Sequence, residues 1–301
     1  MPRKILIQLD GDPQPSTFDA VVAVDAGADV LLRHGGVTPD AVVPLVHGGM
    51  FTRGGSDLAS TAIFVGGSDV ALAEAVADRV RGTFFGPVRL GVLVDPSGAN
   101  TTASAAVVAA GRHVAIAAGG RGFRAVVLGG TGPVGQRVAR LLAGKGGHVT
   151  VVSRSRPRAE QVIERIIAQT GVPTARLEAV EHHGSVPADS ALARALADAE
   201  VIVAAGAAGV VLLDAAGRTS ARSARVIIDL NAVPPAGIAG ITATDKGRLD
   251  GATWVYGALG VGGTKMKIHK AAIARIFTDP AAFLDAEELL AIGEQLESQR
   301  A

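Results

Sequence analysis

The sequence predicts an α/β protein of two domains, in which a Rossmann-type doubly wound parallel sheet accompanies a smaller α/β domain. Short β-rich runs alternate with helical patterns along the chain, which is typical of parallel sheets. The 301 residues are enough for two domains of ordinary size. A G-x-G-x-x-G turn lies between a predicted strand and a predicted helix in the second half. We expect the smaller domain to comprise residues 1–100, completed by helices within 265–301, and the Rossmann domain residues 101–264.

The first half contains four β-rich runs and two helix starts with capping residues. One helix begins at Ser16, whose hydroxyl can cap the first turn, with Asp19 three residues on. A second helix is predicted at 68–81, with Ser68 as its cap and Gly82 at its end. The strands are predicted at 5–9, 30–32, 61–65 and 89–94.

In the second half the alternation is clearer. Strands are predicted at 125–128, 148–152, 199–204 and 225–229, with helices from the glycine turn to about residue 145 and at 157–169. An alanine-rich helix at 103–110 is a plausible connector of the domains. After Gly257 we expect a glycine-rich turn, then a basic helix at 264–276 and a final amphipathic helix at 280–296.

Composition excludes several classes of function. The chain has no cysteine, so disulfides, thiolate catalysis and cysteine-ligated zinc are absent, and no histidines have metal-binding spacing. A net charge of +1 and 3% aromatic residues give no basis for nucleic-acid binding. The longest apolar stretch, 201–213, is short of the roughly 20 residues that span a membrane. Asp10 and Asp12 interrupt any signal-peptide core, so we expect a cytoplasmic protein without a membrane partner.

The glycine turn predicts a dinucleotide site. In such turns the first glycine permits the tight bend, the second lets the pyrophosphate approach the backbone, and the third lets helix and strand pack closely. The anion then lies at the positive end of the helix. The alternative is a packing loop without a ligand. The six residues are Gly130, Thr131, Gly132, Pro133, Val134 and Gly135.

The end of the next strand indicates which nicotinamide cofactor binds. NAD enzymes usually place a carboxylate there to accept from the ribose 2′-hydroxyl. Here the strand ends in Ser153 and Arg154, Arg158 follows, and no carboxylate precedes Glu160. Hydroxyl and guanidinium groups suit a 2′-phosphate, so NADP is favoured over NAD. The alternative is a solvated basic loop.

Other segments after predicted strands offer small or polar side chains. Ala205 and Gly206 would let a cofactor come close, or would serve helix–sheet packing. Asn231 would lie near the nicotinamide, or Asp229 and Asn231 would simply cap a turn.

The last polar segments could reach a substrate. The stretch from Asp95 through Asn100 to Thr102 would bind a polar ring or cap a helix. Lys265 follows Gly-Gly-Thr near the expected helix start, where a cation is electrostatically unfavourable and a functional use is indicated. The order Thr-Lys does not satisfy the phosphate-loop pattern, which excludes nucleotide triphosphate binding.

Over nearly its whole length the chain resembles the bacterial methylene-tetrahydromethanopterin dehydrogenases of one-carbon metabolism, some of which accept methylene-tetrahydrofolate. The motifs that carry the resemblance are PSTFD (15–19), TRGG (52–55), STAIFVGG (60–67), FFGP (84–87), SGANTT (97–102), GGTGPVG (129–135), NAVPPAGIAGI (231–241) and YGALGVGGTKMKIHK (256–270).

The resemblance implies a pterin bound in a cleft between the domains and hydride transfer from its methylene bridge to the nicotinamide. It implies that Lys265 orients the pterin, and that Phe18 and Thr102 fall in stretches lining the pterin site. The NAVPP stretch is similar to members that accept either nicotinamide, whereas GGTK is similar to strictly NADP-dependent ones. The resemblance also implies a homo-oligomer, a trimer or an assembly of dimers.

Two other functions remain open at this stage. One is a dehydrogenase of another small substrate on a similar frame, such as a shikimate-type enzyme, in which a Lys–Asp pair would transfer the hydroxyl proton. The other is a non-catalytic NADP-binding sensor. The choice between methanopterin and folate is also open, because both share the reacting ring.

Overall fold

The computed structural model describes residues 2–116 and 122–299. The chain forms two compact units, which we call unit 1 (Met1–Thr101 and Met266–Ala301) and unit 2 (Thr102–Lys265). Among the described residues, none of the helices has the length and apolarity that crossing a bilayer requires.

Strands and helices alternate through the chain as expected. The strands are β1 (Ile5–Asp10), β2 (Val30–His34), β3 (Thr61–Gly66), β4 (Gly91–Val94), β5 (Arg124–Leu128), β6 (His148–Ser153), β7 (Leu177–Glu181), β8 (Val201–Ala204), β9 (Val226–Asp229), β10 (Lys246–Asp250), β11 (Thr253–Tyr256) and β12 (Phe283–Leu284). The helices are α1 (Thr17–Asp25), α2 (Val42–Met50), α3 (Val70–Arg81), α4 (Ala99–Gly111), α5 (Pro133–Gly144), α6 (Arg156–Thr170), α7 (Ala191–Asp198), α8 (Ala215–Arg218), α9 (Ala258–Ile276) and α10 (Ala286–Ser298). Every strand predicted from the sequence is present, with its ends shifted by at most two residues.

Unit 1 contains a five-stranded parallel sheet in the order β12–β4–β3–β1–β2. All six residues of β3 are buried, whereas the edge strand β2 is partly exposed. The hydrophobic core of unit 1 lies between strands β1, β3 and β4 and the apolar faces of α2 and α3, where Val42, Val46 and Val80 are fully buried. A strand buried on both faces needs a continuous apolar run, and the run over β3 provides one.

Unit 2 contains a seven-stranded sheet in the order β10–β11–β9–β8–β5–β6–β7, parallel except for the β10–β11 pair. Strands β6 and β7 lie on one side of β5, and the chain then crosses to the other side of β5 to form β8 and β9. This reversal is the topological switch point of a doubly wound sheet, and ligands bind at the carboxyl ends of strands there. The predicted α/β class with parallel sheets is confirmed.

Helix capping differs from the prediction at one of the two expected caps. Ser16 caps α1 as expected, its Oγ accepting from the Asp19 N–H at 3.3 Å. Ser68 does not cap α3, because its hydroxyl donates to Asp12 Oδ1 at 2.7 Å. Asp69 is the cap, accepting from the Leu72 N–H at 3.1 Å. The cap of α3 is therefore the Asp69 carboxylate and not the hydroxyl of the preceding Ser68.

The prediction of a glycine-rich turn after Gly257 is wrong. Helix α9 begins at Ala258, and Lys265 lies in its third turn. These glycines permit close packing. A Cβ at Gly257 would lie 1.9 Å from Thr242 O, and one at Gly260 would lie 1.8 Å from Asp245 O. Lys265 is therefore not at a helix start, and the electrostatic argument for its function does not hold.

Two other helix boundaries also differ. Helix α4 begins at Ala99, four residues before the predicted start, because the Asp95 carboxylate accepts from its first N–H groups. The predicted helix at 280–296 begins later than expected, since Phe283–Leu284 pairs with β4 as β12. Helix α10 then starts after Asp285, which forms a reciprocal capping box with Glu288.

Candidate functional site

The glycine turn follows β5 at the switch point of the unit 2 sheet. Gly129 has a φ of +72°, and a Cβ there would lie 2.7 Å from the Gly206 Cα. A Cβ on Gly130 would lie 2.7 Å from Val151 Cγ1, and the Gly130 N–H donates to Val152 O at 2.9 Å. The turn therefore passes between β6 and the segment after β8, where side chains would not fit.

Gly132 and Gly135 have different surroundings. A Cβ on Gly135 would lie 2.3 Å from Gly129 O, so the fold itself requires glycine at this position. A Cβ on Gly132 would meet nothing closer than Ala205 O at 3.4 Å, which is ordinary contact. Gly132 is the N-cap of α5 and Pro133 its first residue, and no side chain caps the helix. The N–H groups of the first turn have no partner within the helix, as at any helix N-terminus. The space beside Gly132 is thus available to an anionic ligand at the positive end of the helix.

A cavity of about 460 Å³ opens beside this turn, within the size range of small-molecule sites. Eight of the predicted cofactor residues line it: Thr131, Gly132, Pro133, Ser153, Arg154, Arg158, Ala205 and Gly206. Gly130, Val134, Gly135 and Asn231 are not among the lining residues. Leu128, Val152, Val210 and Leu212 supply an apolar part of the wall.

Three arginines follow β6, and they differ in their partners. Arg156 pairs with Glu160 at 2.9 Å, and its backbone N–H donates to Glu181 Oε2 at 2.9 Å. The hydrogen bond from the Arg156 N–H, followed by that from His183, lowers the pKa of Glu181, which therefore stays ionised. Across residues 2–116 and 122–299, Arg154 and Arg158 form no ion pair. Both line the cavity and keep their charge available to a ligand.

Hydroxyl groups complete this end of the cavity. The buried Ser153 Oγ lies 3.3 Å from Thr131 Oγ1 and accepts from the Ser155 N–H at 3.2 Å. The two hydroxyls thus connect the glycine turn to the end of β6. Hydroxyl and guanidinium groups that line one cavity form a donor set suited to a phosphate.

The loop after β9 is held by a buried carboxylate. Asp229 is at the end of β9 and accepts backbone N–H bonds from Asn231 and Ile238, both at 3.0 Å. Burial raises the pKa of Asp229, while these N–H donors act in the opposite direction. The Asn231 amide donates to Pro235 O at 3.2 Å and accepts from the Val233 N–H at 3.0 Å. Asp229 and Asn231 therefore determine the path of the loop, as in the turn-capping alternative.

In unit 1 a polar network holds the segment before α1. The fully buried Asp10 accepts from the Asp12 N–H at 3.0 Å and the Ser16 N–H at 3.1 Å. Arg33 donates to Pro15 O and, at 3.1 Å, to Gln8 Oε1. These contacts anchor the start of α1, and Phe18 in its first turn is 53% exposed. Sequence reasoning missed Asp10, although an acid ending an apolar strand is a recognisable signal.

The stretch from Asp95 to Thr102 is held chiefly by contacts within unit 1. Asp95 is fully buried, accepting from the Asn100 N–H at 2.9 Å and the Thr101 hydroxyl at 2.6 Å. The Asn100 amide donates to Val94 O and Asp285 Oδ1, both at 2.7 Å. Asp95 thus performs the helix-capping role that was the alternative to substrate binding. Thr102 and Lys265, both in unit 2, are half-buried, in α4 and α9 respectively.

Among the cavity residues that sequence reasoning missed, His182 is the one with an ionisable side chain. His182, directly after β7, lines the cavity and donates its backbone N–H to Ser153 O at 2.9 Å. Its position after a third neighbouring strand was a usable signal, because parallel strands end at one edge of the sheet. Within the described part of the chain, no cluster of three or more His, Asp or Glu side chains could hold a metal ion.

The switch point at β5, the glycine turn and its cavity define a Rossmann-type nucleotide-binding protein. Residues 17–97 match the family model described as methylene-tetrahydromethanopterin dehydrogenase, N-terminal. The chain is 42% identical to the bifunctional protein MdtA of Methylorubrum extorquens, covering 98% of this chain and 100% of that protein. It is 34% identical to the NAD(P)-dependent methylenetetrahydromethanopterin dehydrogenase of the same organism, covering 88% and 89%. The chain therefore belongs to the methylene-tetrahydromethanopterin dehydrogenase family, which confirms the resemblance found in the sequence.

Among solved structures, quinate dehydrogenase from Corynebacterium glutamicum in complex with NAD is 17% identical, with a TM-score of 0.47 and coverage of 98% of this chain and 100% of that chain.

Proposed function

We propose that this chain is an NADP-dependent methylene-tetrahydromethanopterin dehydrogenase that also accepts NAD less well. It would oxidise the methylene bridge of the pterin to the methenyl cation, with methylene-tetrahydrofolate as a second substrate. Family membership supports the reaction. The single observation that supports NADP is the pair of arginines, Arg154 and Arg158, that line the cavity and form no ion pair with any residue the structure describes.

The residues present fit the cofactor. The space beside Gly132 would admit the pyrophosphate to the N-terminus of α5. Ser153, Arg154 and Arg158 would hold the 2′-phosphate, and Ala205 and Gly206 would let the cofactor approach the end of β8. Because its amide is bonded within its own loop, Asn231 would act by shaping that loop rather than by direct contact. When bound, the nicotinamide supplies the hydride acceptor.

Some of the residues predicted for the pterin site would touch the pterin, and others would position the loop beside it. The exposed ring of Phe18 offers an apolar surface to a pterin ring, and the half-buried Thr102 and Lys265 offer polar groups. Asp95 and Asn100 would act indirectly by holding their loop. We assign to Lys265 the orientation of the pterin. It is not a general base, because hydride loss leaves a cation and requires no proton transfer at carbon.

Catalysis then consists of positioning and water exclusion. This agrees with the lack of an acid–base pair among the motifs of the sequence. We further propose that units 1 and 2 are the pterin and cofactor domains. The protein would act in the cytoplasm as a homo-oligomer, either a trimer or an assembly of dimers.

Absorbance of reduced nicotinamide tests the proposal. Purified protein is mixed with the methylene form of tetrahydromethanopterin or tetrahydrofolate and with NADP or NAD, and shikimate serves as the control substrate. We expect the fastest reduction with the methanopterin and NADP. Reduction with shikimate alone would overturn the proposed substrate, and cofactor binding without any turnover would identify a sensor.

A further inference from the structure

His182 is part of the cavity but has no role in the function proposed above. Its backbone N–H bonds to Ser153 O, which places it beside Arg154 in the neighbouring strand register. The ring nitrogen Nε2 is buried, and no described residue accepts from it or donates to it. A buried polar atom without a partner is unfavourable, so a ligand group that supplies a partner is favoured.

A small movement of the ring would supply that partner. The χ2 torsion of histidine is broad and roughly two-fold, so rotation about Cβ–Cγ directs a ring nitrogen elsewhere without moving the backbone. Arg154 and Arg158 line the same cavity and would hold a 2′-phosphate there. His182 therefore lines the same cavity as the two arginines that would hold the anion of the proposed function.

We propose that His182 is a specificity-determining residue, which takes up a proton when NADP binds and donates a hydrogen bond to the 2′-phosphate. The inference rests on the proposed NADP site. It makes the preference for NADP over NAD depend on pH, because NAD carries no phosphate to stabilise the protonated ring.

The charges around the ring determine the direction of this dependence. Burial, assisted by electrostatic repulsion from His183, lowers the pKa of His182, whereas the Gly184 backbone and Asp214 oppose this effect. Glu181 is bonded to His183 and Arg156. The ring is thus neutral at neutral pH, and a dianion raises the pKa in the complex. NADP affinity should therefore rise as the pH falls through the bound-state pKa, and level off below the free-state pKa.

The experiment uses two fragments of the cofactors, adenosine 2′,5′-bisphosphate and 5′-ADP, titrated into the full-length protein by calorimetry. Measurements are made at a pH of about 6 and about 8, in buffers of different ionisation enthalpy, so that proton uptake is measured directly. The variants are His182→Leu and His182→Gln. The matched control is His183→Gln, since His183 is exposed, pairs with Glu181 and does not line the cavity.

We expect His182→Leu to weaken the bisphosphate roughly tenfold at the lower pH, while 5′-ADP changes less than about twofold. His182→Gln keeps a neutral donor, so it should retain much of the affinity but lose the proton uptake. The phosphate itself ionises with a pKa near 6, and comparison with wild type cancels that contribution.

Three outcomes would overturn the inference. If the His182 variants keep the wild-type affinity and proton uptake, the ring does not contact the phosphate. If they weaken both fragments equally, the ring contacts the adenosine instead. If wild type does not distinguish the two fragments, the NADP site fails as well, so the two failures are distinguishable.

Discussion

Replacing Arg154 with alanine tests the assignment of the 2′-phosphate. Two unit charges about 4 Å apart attract by about 1 kcal/mol in water and about 4 kcal/mol in partly buried surroundings. The Arg154 side chain is exposed at the cavity rim, so the lower part of this range applies. A loss of about 1.5–2 kcal/mol corresponds to about ten- to thirtyfold weaker NADP binding. NAD binding should change by less than about twofold.

The chain offers a matched control two residues away. Arg156 has the same charge and is also exposed, but it pairs with Glu160 and does not line the cavity. Arg156→Ala should therefore leave the ratio of NADP to NAD affinity unchanged. Both ligands are titrated against each variant by protein fluorescence or calorimetry at low and high salt. Equal losses for NADP and NAD in Arg154→Ala, or equal effects of the two substitutions, would refute the assignment.

Three further predictions concern other parts of the molecule. Gly132→Ala should abolish NADP binding while the free energy of unfolding changes by less than about 0.5 kcal/mol, because its Cβ fits the turn but not the turn with a ligand. Gly135→Ala, whose Cβ would lie 2.3 Å from a carbonyl oxygen, should instead lower the free energy of unfolding by about 1–3 kcal/mol. Urea unfolding and calorimetry compare the two variants, and normal NADP binding by Gly132→Ala would contradict the prediction. Lys265→Ala should lower kcat about tenfold or more with an unchanged Kd for NADP, and an unchanged turnover rate would exclude the lysine from the pterin site. The hydrogen bond from Arg248 is the main cause that lowers the pKa of Asp245 from 3.8 to about 2. Asp245→Asn should therefore destabilise unit 2 above a pH of about 4, and the destabilisation should disappear toward pH 2. Unfolding is followed across this pH range, and a difference in stability from wild type that does not change with pH would contradict the prediction.

The buried strands could be predicted from the sequence because burial on both faces requires an apolar run. The two edge strands of the unit 2 sheet, β7 and β10, could not. In β7 the sequence Leu-Glu-Ala-Val-Glu has two glutamates, and β10 is mostly exposed between Lys246 and Asp250. Their place in the sheet depends on pairing with β6 and β11, which short-range patterns do not report.

The glycines at the start of α9, one just before it and one within it, illustrate a second limit. Gly257 and Gly260 suggested a turn, since glycine is unfavourable inside helices. The structure requires them because the helix packs against the backbone of 242–246, and tertiary packing outweighs local propensity. The glycine turn at 129–135, in contrast, was predictable, because the glycine spacing, the preceding strand and the following helix are all adjacent in the sequence.

The candidate site was predictable to the extent that its residues follow parallel strands in an ordered motif. Ser153 ends β6, Arg154 follows it and Arg158 is in the first turn of α6, and all three line the cavity. Asp95 and Asn231 have polar side chains of the expected type, but these are bonded within their own loops. Sequence alone does not show whether a polar group faces a ligand or the backbone beside it.

The carboxylate of Asp229 has a consequence for engineering this protein. Because it holds the loop after β9 through main-chain N–H groups, the course of that loop depends little on the side chains at its tip. Ala232 and Val233 are both exposed there. A library varied at these two positions could therefore present new chemistry from an unchanged backbone, whereas variation at Asp229 would alter every position of the loop together.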